Sequence, residues 1–384
     1  MLPGFDAVQY PDWQALLARF WAEARPGSVL VLDEFPSMVA AARELPSVIQ
    51  KILDLNATKR VHLVIAGSSQ RMMHGLVLDQ TAPLYGRTHE ILEIGPLRAG
   101  WIQPALQLKD GVSAVESYSV WGGIPRYWEL AATCPNLTRA VRDLVLSPLG
   151  VLHDEPAGLL LDDLRDTAQA TSILSLVGGG CHRMSEIAAR LEKPATSLSR
   201  PLQRLVDLGL VRRETPFGTS VRDTKRTAYR LGDPFLRFWF RFVGPNRSRL
   251  ATRRLEPVER EVQAAFAHHV GSVWEDLARE SVPSLGDKRE WGPASRWWGP
   301  GLDRRPMEID VVAESADGDA VLVGEVRWSA IDVERVLAEL RRKADNLPLA
   351  KGRRTVLAVW SKSKGRRVGS ARTIGPEEVI RRLL

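Results

Sequence analysis

From Tyr10 to Ala24 the apolar residues Trp13, Leu16, Leu17, Phe20 and Trp21 recur at the three- and four-residue spacing of a helix that lays one face on a sheet. Val29 to Pro36, VLVLDEFP, breaks that period: its apolar residues run on without polar alternation and close on two carboxylates and a proline. Such a run predicts a strand buried on both faces, as in a parallel sheet covered by helices. Met38 to Asn56 reads as the next helix, and Val61 to Ser69, VHLVIAGSS, as a second buried strand. A helical stretch and a third strand at His89 to Ile94 continue a βαβ rhythm. From Trp101 to about Ala168 the spacing is helical throughout.

Thr171 to Val177, Met184 to Leu191, and Leu198, Leu202, Leu205, Val206 and Leu208 then give three short helices whose apolar faces can close one small core. Gly209 leads into a hairpin, Val211 to Thr215 and Thr227 to Leu231, so the order is that of a winged helix. Arg200 and Arg204 fall on the exposed side of its third helix, and Arg222, Lys225 and Arg226 in the loop of the wing, where phosphates or guanine edges are within reach. Pro201 lies inside that third helix, at a cost of about 3 kcal/mol unless it sits in the first turn; protein contact is the alternative use of the module. Ala264 to Val282 reads as a helix carrying Glu275, Met307 to Val312 and Val321 to Arg327 as strands, then a helix through Lys343 and a strand at Thr355 to Trp360. Lys351 to Arg382 is strongly basic, a nucleic-acid surface or a solvated helix and tail.

Composition narrows the class. A chain of 384 residues predicts two or three domains, and 44% hydrophobic with 26% charged residues belongs to a soluble globular protein. No apolar run approaches the ~18 residues of a membrane helix, and the start lacks a basic segment followed by an apolar one. With only Cys134 and Cys181, far apart, a cytoplasmic protein without structural disulfides is expected. A net charge of +7 favours an anionic partner, nucleic acid first.

Asp33 and Glu34 close an apolar strand at the sheet edge where α/β proteins bind ligands, so the pair looks like a Walker B motif: one carboxylate for Mg²⁺, the next to polarise water. An acidic turn capping the next helix is the alternative. Ser68 and Ser69 end the neighbouring strand as candidate γ-phosphate sensors, or as a plain Gly-Ser-Ser turn, and Arg87 stands where such ATPases carry an arginine finger.

The order of VLVLDEFP, VIAGSS, APLYGR, WGGIPRYW and LGDPFLRFWFRFV resembles the archaeal-type prokaryotic AAA+ ATPases that carry a C-terminal domain of unknown function. The resemblance covers nearly the whole chain and implies a P-loop NTPase core at 1–100, a helical lid at 101–166, a winged helix-turn-helix at 167–245 and, at 246–384, an α/β domain like the PD-(D/E)XK restriction-endonuclease fold. The fold class is thus α/β plus α. It further implies ATP and Mg²⁺ as cofactors, with Asp33 and Glu34 at the metal and water, and Pro125 and Arg126 near the nucleotide; a helix break at Gly-Gly-x-Pro is the other reading of that segment.

One element departs from the family: no GxxxxGK[ST] occurs anywhere, so the phosphate cradle is missing and ATP hydrolysis by this chain alone is not expected. The chain reads as truncated or as a degenerate paralogue. The P-loop strand of such ATPases lies between the sensor strand and the strand after the arginine finger; without it, Val61 to Ala66 and His89 to Ile94 are expected to pair directly or to be poorly ordered.

Near the C-terminus an Asp at one strand and an E-x-basic at the next bring two carboxylates and a cation to a common edge, as phosphodiester hydrolysis requires. By resemblance to the PD-(D/E)XK core, Asp310 and Glu325 would hold Mg²⁺ with Glu275 in support. Arg327 replaces the family's lysine, and arginine stays protonated, able to stabilise a phosphate but not to act as a base. A simple Glu325 to Arg327 pair on one strand face is the alternative. Three functions follow: an ATP-dependent switch or remodeller on DNA, a non-catalytic DNA-binding regulator with both sites decayed, or a Mg²⁺-dependent nuclease. A homo-oligomer or partner protein fits each of them.

Overall fold

The computed structural model describes residues 4–57, 61–68, 70–163, 167–219, 226–286, 289–363, 365, 367–368 and 371–384. They fall into two compact units, Met1–Ile94 with Leu159–Arg165, and Gly95–Gly158 with Asp166–Leu384.

The first unit holds α1 (Trp13–Glu23), β1 (Val29–Leu32), α2 (Phe35–Ala41), α3 (Leu45–Leu55), β2 (His62–Ile65) and the short α4 (Gln70–Met73). Asp12 caps α1 by accepting from the Ala15 amide at 2.7 Å, and Leu17, Phe20 and Trp21 bury its inner stripe. The strands pair in parallel with Val29 opposite His62. Only Leu32 of β1 is buried, whereas Val29 and Val31 are 55% and 58% exposed. The expectation of a strand covered on both faces is therefore corrected: helices pack on one face of this two-stranded sheet and leave the other open among the described residues. Nor is 38–56 a single helix. Pro46 stands in the first turn of α3, the one place a proline fits, and the chain restarts there after leaving the helix at Ala42. The strand expected at His89 to Ile94 is absent: the segment has no regular structure, and Ile91, Leu92 and Ile94 are exposed. Direct pairing with β2 does not occur either, so β2 has β1 as its sole partner among the described residues.

The second unit opens with α5 (Ile102–Ala105), α6 (Gly111–Trp121), α7 (Pro125–Ala132) and α8 (Leu137–Ala140), followed by α9 (Glu155–Asp163), within which the unit boundary falls. Helices α10 (Thr167–Gly178), α11 (Met184–Arg190) and α12 (Ala195–Asp207) precede the antiparallel hairpin of β3 (Val211–Glu214) and β4 (Ala228–Leu231), completing the expected winged helix. Then come α13 (Pro234–Phe238), α14 (Arg247–Ala251) and the 27-residue α15 (Leu255–Ser281).

A six-stranded sheet of order β5-β6-β7-β8-β10-β9 follows. Its strands are β5 (Ser295–Pro300), β6 (Pro306–Glu314), β7 (Ala320–Arg327), β8 (Arg354–Ser361), β9 (Arg367–Val368) and β10 (Ala371–Ile374), with α16 (Val333–Asp345) between β7 and β8 and α17 (Pro376–Arg382) at the end. Seven of the eight β7 residues are buried. Gly324 is required there, because a β-carbon would stand 2.6 Å from the Trp360 ring and 2.9 Å from Val311 Cβ. The fold is mixed α/β, with a winged helix and a C-terminal sheet. The basic C-terminal stretch is not the solvated helix and tail that its charge allowed: β8, β10 and α17 are woven into the core, with Val379, Ile380 and Leu383 buried. Helix α17 also holds the helical segment, the Glu377 carboxylate accepting from the Gly111 amide at 2.6 Å. Among the described residues no helix is long and apolar enough to cross a membrane.

His269, 1% exposed on α15, ties that helix to α6 through Nε2 and the Ser119 carbonyl at 2.8 Å. Burial pushes its pKa down to about 4. A histidine depressed in the fold contributes stability that is present above its ordinary value near 6.5 and lost as pH falls toward 4. The His269 ring proton resonances should stay unshifted from pH 7 to pH 5 in an NMR titration; a midpoint near 6.5 contradicts this packing.

Candidate functional site

Three places hold the residues that the sequence singles out. In the first unit, the parallel pairing of β1 and β2 sets both C-terminal strand ends side by side. Glu34, in the left-handed backbone region at φ 48°, starts α2 without a side-chain cap, and its carboxylate accepts from Ser68 Oγ at 3.4 Å. Asp33 accepts from the Glu34 amide at 2.9 Å. Asp33, Glu34 and Ser68 are thus together; Ser69 lies outside the described residues. Arg87 is not with them: it makes a two-pronged pair with Asp54, both contacts at 2.9 Å, and donates to the Pro83 and Tyr85 carbonyls.

Pro125 and Arg126 belong to the second unit. Pro125 opens α7, and Arg126 is an exposed partner of Glu129 at 3.0 Å. The WGGIP segment has a packing reason of its own. A β-carbon on Gly122 would meet the Asp233 carboxylate at 2.6 Å, and one on Gly123 the Leu97 carbonyl at 2.2 Å, so the glycines let the LGDPF segment and Leu97 approach. Asp233, half-buried at the N-cap of α13, has its pKa raised by desolvation to about 6.

In the winged helix, Leu198, Leu202 and Leu205 bury one stripe of α12. Arg200 and Arg204 follow Leu198 and Leu202 by two positions each, about 200° around the helix, so both point away from the core as i,i+4 neighbours. Arg200 is exposed and Arg204 half-buried. Pro201 stands mid-helix, beyond the first turn in which it would cost nothing. Arg226, at the end of the wing, is exposed; Arg222 and Lys225 lie outside the described residues.

The sheet edge gathers the acidic set. Asp310 on β6 and Glu325 on β7 are both buried. Arg327 pairs with one Glu325 oxygen and lies 3.7 Å from Asp310, and Lys343 of α16 takes the other Glu325 oxygen at 3.0 Å. Asp310 Oδ2 also accepts from the Val326 amide at 2.9 Å. Glu275 of α15 completes the group, its pKa raised by burial and then by the Asp310 charge; Glu325 is raised by the same causes in the same order. Among the described residues no group of three or more His, Cys, Asp or Glu side chains is arranged to hold a metal ion. With both Glu325 oxygens engaged by cations, the arrangement fits an internally neutralised cluster and not a Mg²⁺ site, and no metal-assisted step follows from it.

Sequence reasoning missed the neighbour of Glu275. Asp276 meets Arg212 of β3 at 2.6 Å, Arg237 of α13 at 2.6 Å and Arg279 at 2.5 Å. Burial alone would raise its pKa, but the three guanidiniums hold it well below the usual carboxylate range. Arg279 also donates to the Asp310 carbonyl at 2.9 Å, joining this cluster to the sheet edge. Lys343 was missed as well, and a signal existed: it lies three residues after Leu340, beside the stripe that α16 buries with Val333, Leu340 and Ala344.

Two family matches bear on these sites. Residues 167–217 match the MarR family, and residues 239–339 match a family described as archaeal and bacterial proteins of unknown function. The chain is also similar to an uncharacterised protein of Methanocaldococcus jannaschii, 27% identical over 343 residues, which are 87% of this chain and 74% of the relative.

For Glu275 the sign is opposite to that of Asp276. A carboxyl raised in the fold contributes stability that is present below the ordinary glutamate value and lost as pH rises through the raised one. Glu275→Gln should therefore raise the urea midpoint at pH 7 relative to the parent chain, with the gap closing toward pH 4. A lower midpoint at pH 7 would show that Arg279, 3.7 Å away, makes the charge favourable.

Proposed function

We propose that the chain is a DNA-binding regulatory protein whose helix α12 enters the major groove. One observation carries this reading: the MarR match at 167–217 covers three helices and the first hairpin strand, which leave Arg200 exposed on the outer face of α12. The net charge of +7 supports it, since phosphate neutralisation supplies most non-specific affinity. In this reading the acidic cluster at Asp310 and Glu325 is structural and the duplex is bound without being cut.

Fluorescence anisotropy of a labelled duplex across a salt series tests it. Arg200→Glu should weaken binding at every salt and reduce the slope of log K against log salt by about one or more. An unchanged slope and affinity would make the winged helix a protein-contact module.

An ATP-dependent switch is the second reading, favoured by the meeting of Glu34 with Ser68 at the strand ends. Without a P-loop, the first reading expects Asp33→Ala to leave ATP affinity in the presence of Mg²⁺ unchanged. Micromolar binding abolished by that substitution would establish the ATPase reading instead.

A further inference from the structure

Between the wing and the outer strand of the large sheet lies a cavity of about 780 Å³, inside the roughly 300–1,000 Å³ range of small-ligand sites. Its walls carry five arginines, Arg183, Arg226, Arg230, Arg296 and Arg304, against two glutamates, Glu186 and Glu308. Neither glutamate is free, and Glu308 offsets one of the five arginines. Glu186 accepts from the His182 and Arg183 amides at 3.0 and 3.1 Å, and Glu308 pairs with Arg296. Glu214 behind them is divided among Arg212, Arg230 and Arg296 at 3.6, 3.4 and 3.8 Å.

That leaves positive charge in excess. Arg183, Arg226 and Arg304 are exposed, and no ion pair to them exists among the described residues. The buried Nε of Arg296 has no hydrogen-bond acceptor among the described residues, and that of Arg230 has only the 3.4 Å ion pair with Glu214. His182, on the same wall, reports the field: burial lowers its pKa, and the charge of Arg230 lowers it further. Burial first and the charge of Arg230 next lower the pKa of Arg296, so these two neighbouring cations oppose one another. The wall has a second chemistry: Trp298, Pro300 and Met307 offer an apolar surface, and the Arg296 guanidinium lies 5.8 Å from the centre of the Trp298 ring.

We infer that this cavity binds a nucleoside phosphate, with its phosphates on the arginine forks and its base against Trp298. Guanidinium forks match phosphate oxygens in pairs. An aromatic ring beside them gives a base a stacking surface. The site shares no residue with the outer face of α12 or with the Asp33 strand end, so it stands or falls apart from both readings above.

Isothermal titration of the full chain with ATP, with pyrophosphate and with a short duplex tests it. ATP should bind at least about tenfold more tightly than pyrophosphate, and Arg226→Ala with Arg304→Ala should weaken ATP by about tenfold or more. Both positions are exposed, so the double variant keeps its fold. Trp298→Leu should weaken ATP while leaving pyrophosphate unchanged, and Asp33→Ala and Arg200→Glu should leave ATP unchanged. Absence of ATP binding, equal binding of ATP and pyrophosphate, or loss of duplex affinity alone in the double variant would each overturn the assignment. ATP binding that follows Asp33 would assign it to the strand end instead.

Discussion

A carboxylate removed from water must recover its hydration energy from its neighbours, and Asp276, with 17% of its side chain exposed, does so from three guanidiniums on three different elements. Arg212 comes from the wing, Arg237 from the LGDPF segment and Arg279 from the same long helix. Each of these arginines needs the same carboxylate, so the hairpin and α13 can dock on α15 in few ways other than this one. The arrangement is a constraint on geometry more than a source of net stability: the desolvation cost of such a cluster rivals its Coulomb gain, whereas stranding one partner typically costs about 3–5 kcal/mol.

Two further polar groups of the second unit adjoin this cluster. Arg279 passes it on to the Asp310 backbone, at the edge where Asp310 and Glu325 lie. Glu214, two residues beyond Arg212 on the wing strand, shares its charge with Arg230 and Arg296 and so faces β5. The hairpin and the sheet together form a cleft in which arginines from both walls surround Trp298. Both functions proposed for this surface are anion recognition, by α12 for a duplex and by the cleft for a smaller phosphate.

Much of the second unit was legible in the sequence because its periods are clean. The leucines of α12, the hairpin strands and the alternation-free β7 all fold where the pattern puts them. What failed, failed for physical reasons. Lys351 to Arg382 looks solvated because charges crowd around its apolar runs, yet β10 and α17 bury Ile374, Val379 and Ile380 while their arginines reach outward or pair, as Arg382 does with Glu378. The strand at His89 to Ile94 has the right composition, but a strand needs a partner, and propensity cannot supply one. Among the site residues, Glu34 with Ser68 was legible because the C-terminal ends of neighbouring parallel strands lie side by side, and Asp310 with Glu325 because consecutive strands pair, here antiparallel with Val311 opposite Gly324. Arg87 was not, since nothing in its own segment announces Asp54. Asp276 was hidden for a similar reason: its three partners come from 3 to 64 residues away, and only the docked fold brings them to one oxygen pair.

Hydrogen exchange on the full chain and on Asp276→Asn tests the role of this carboxylate most directly. If Asp276 holds the wing and α13 on α15, the variant should lose about 3–5 kcal/mol of protection in β3, β4 and α13, while the amides of β1 and β2 in the other unit keep their parent rates. Unchanged protection across β3, β4 and α13 would contradict the account.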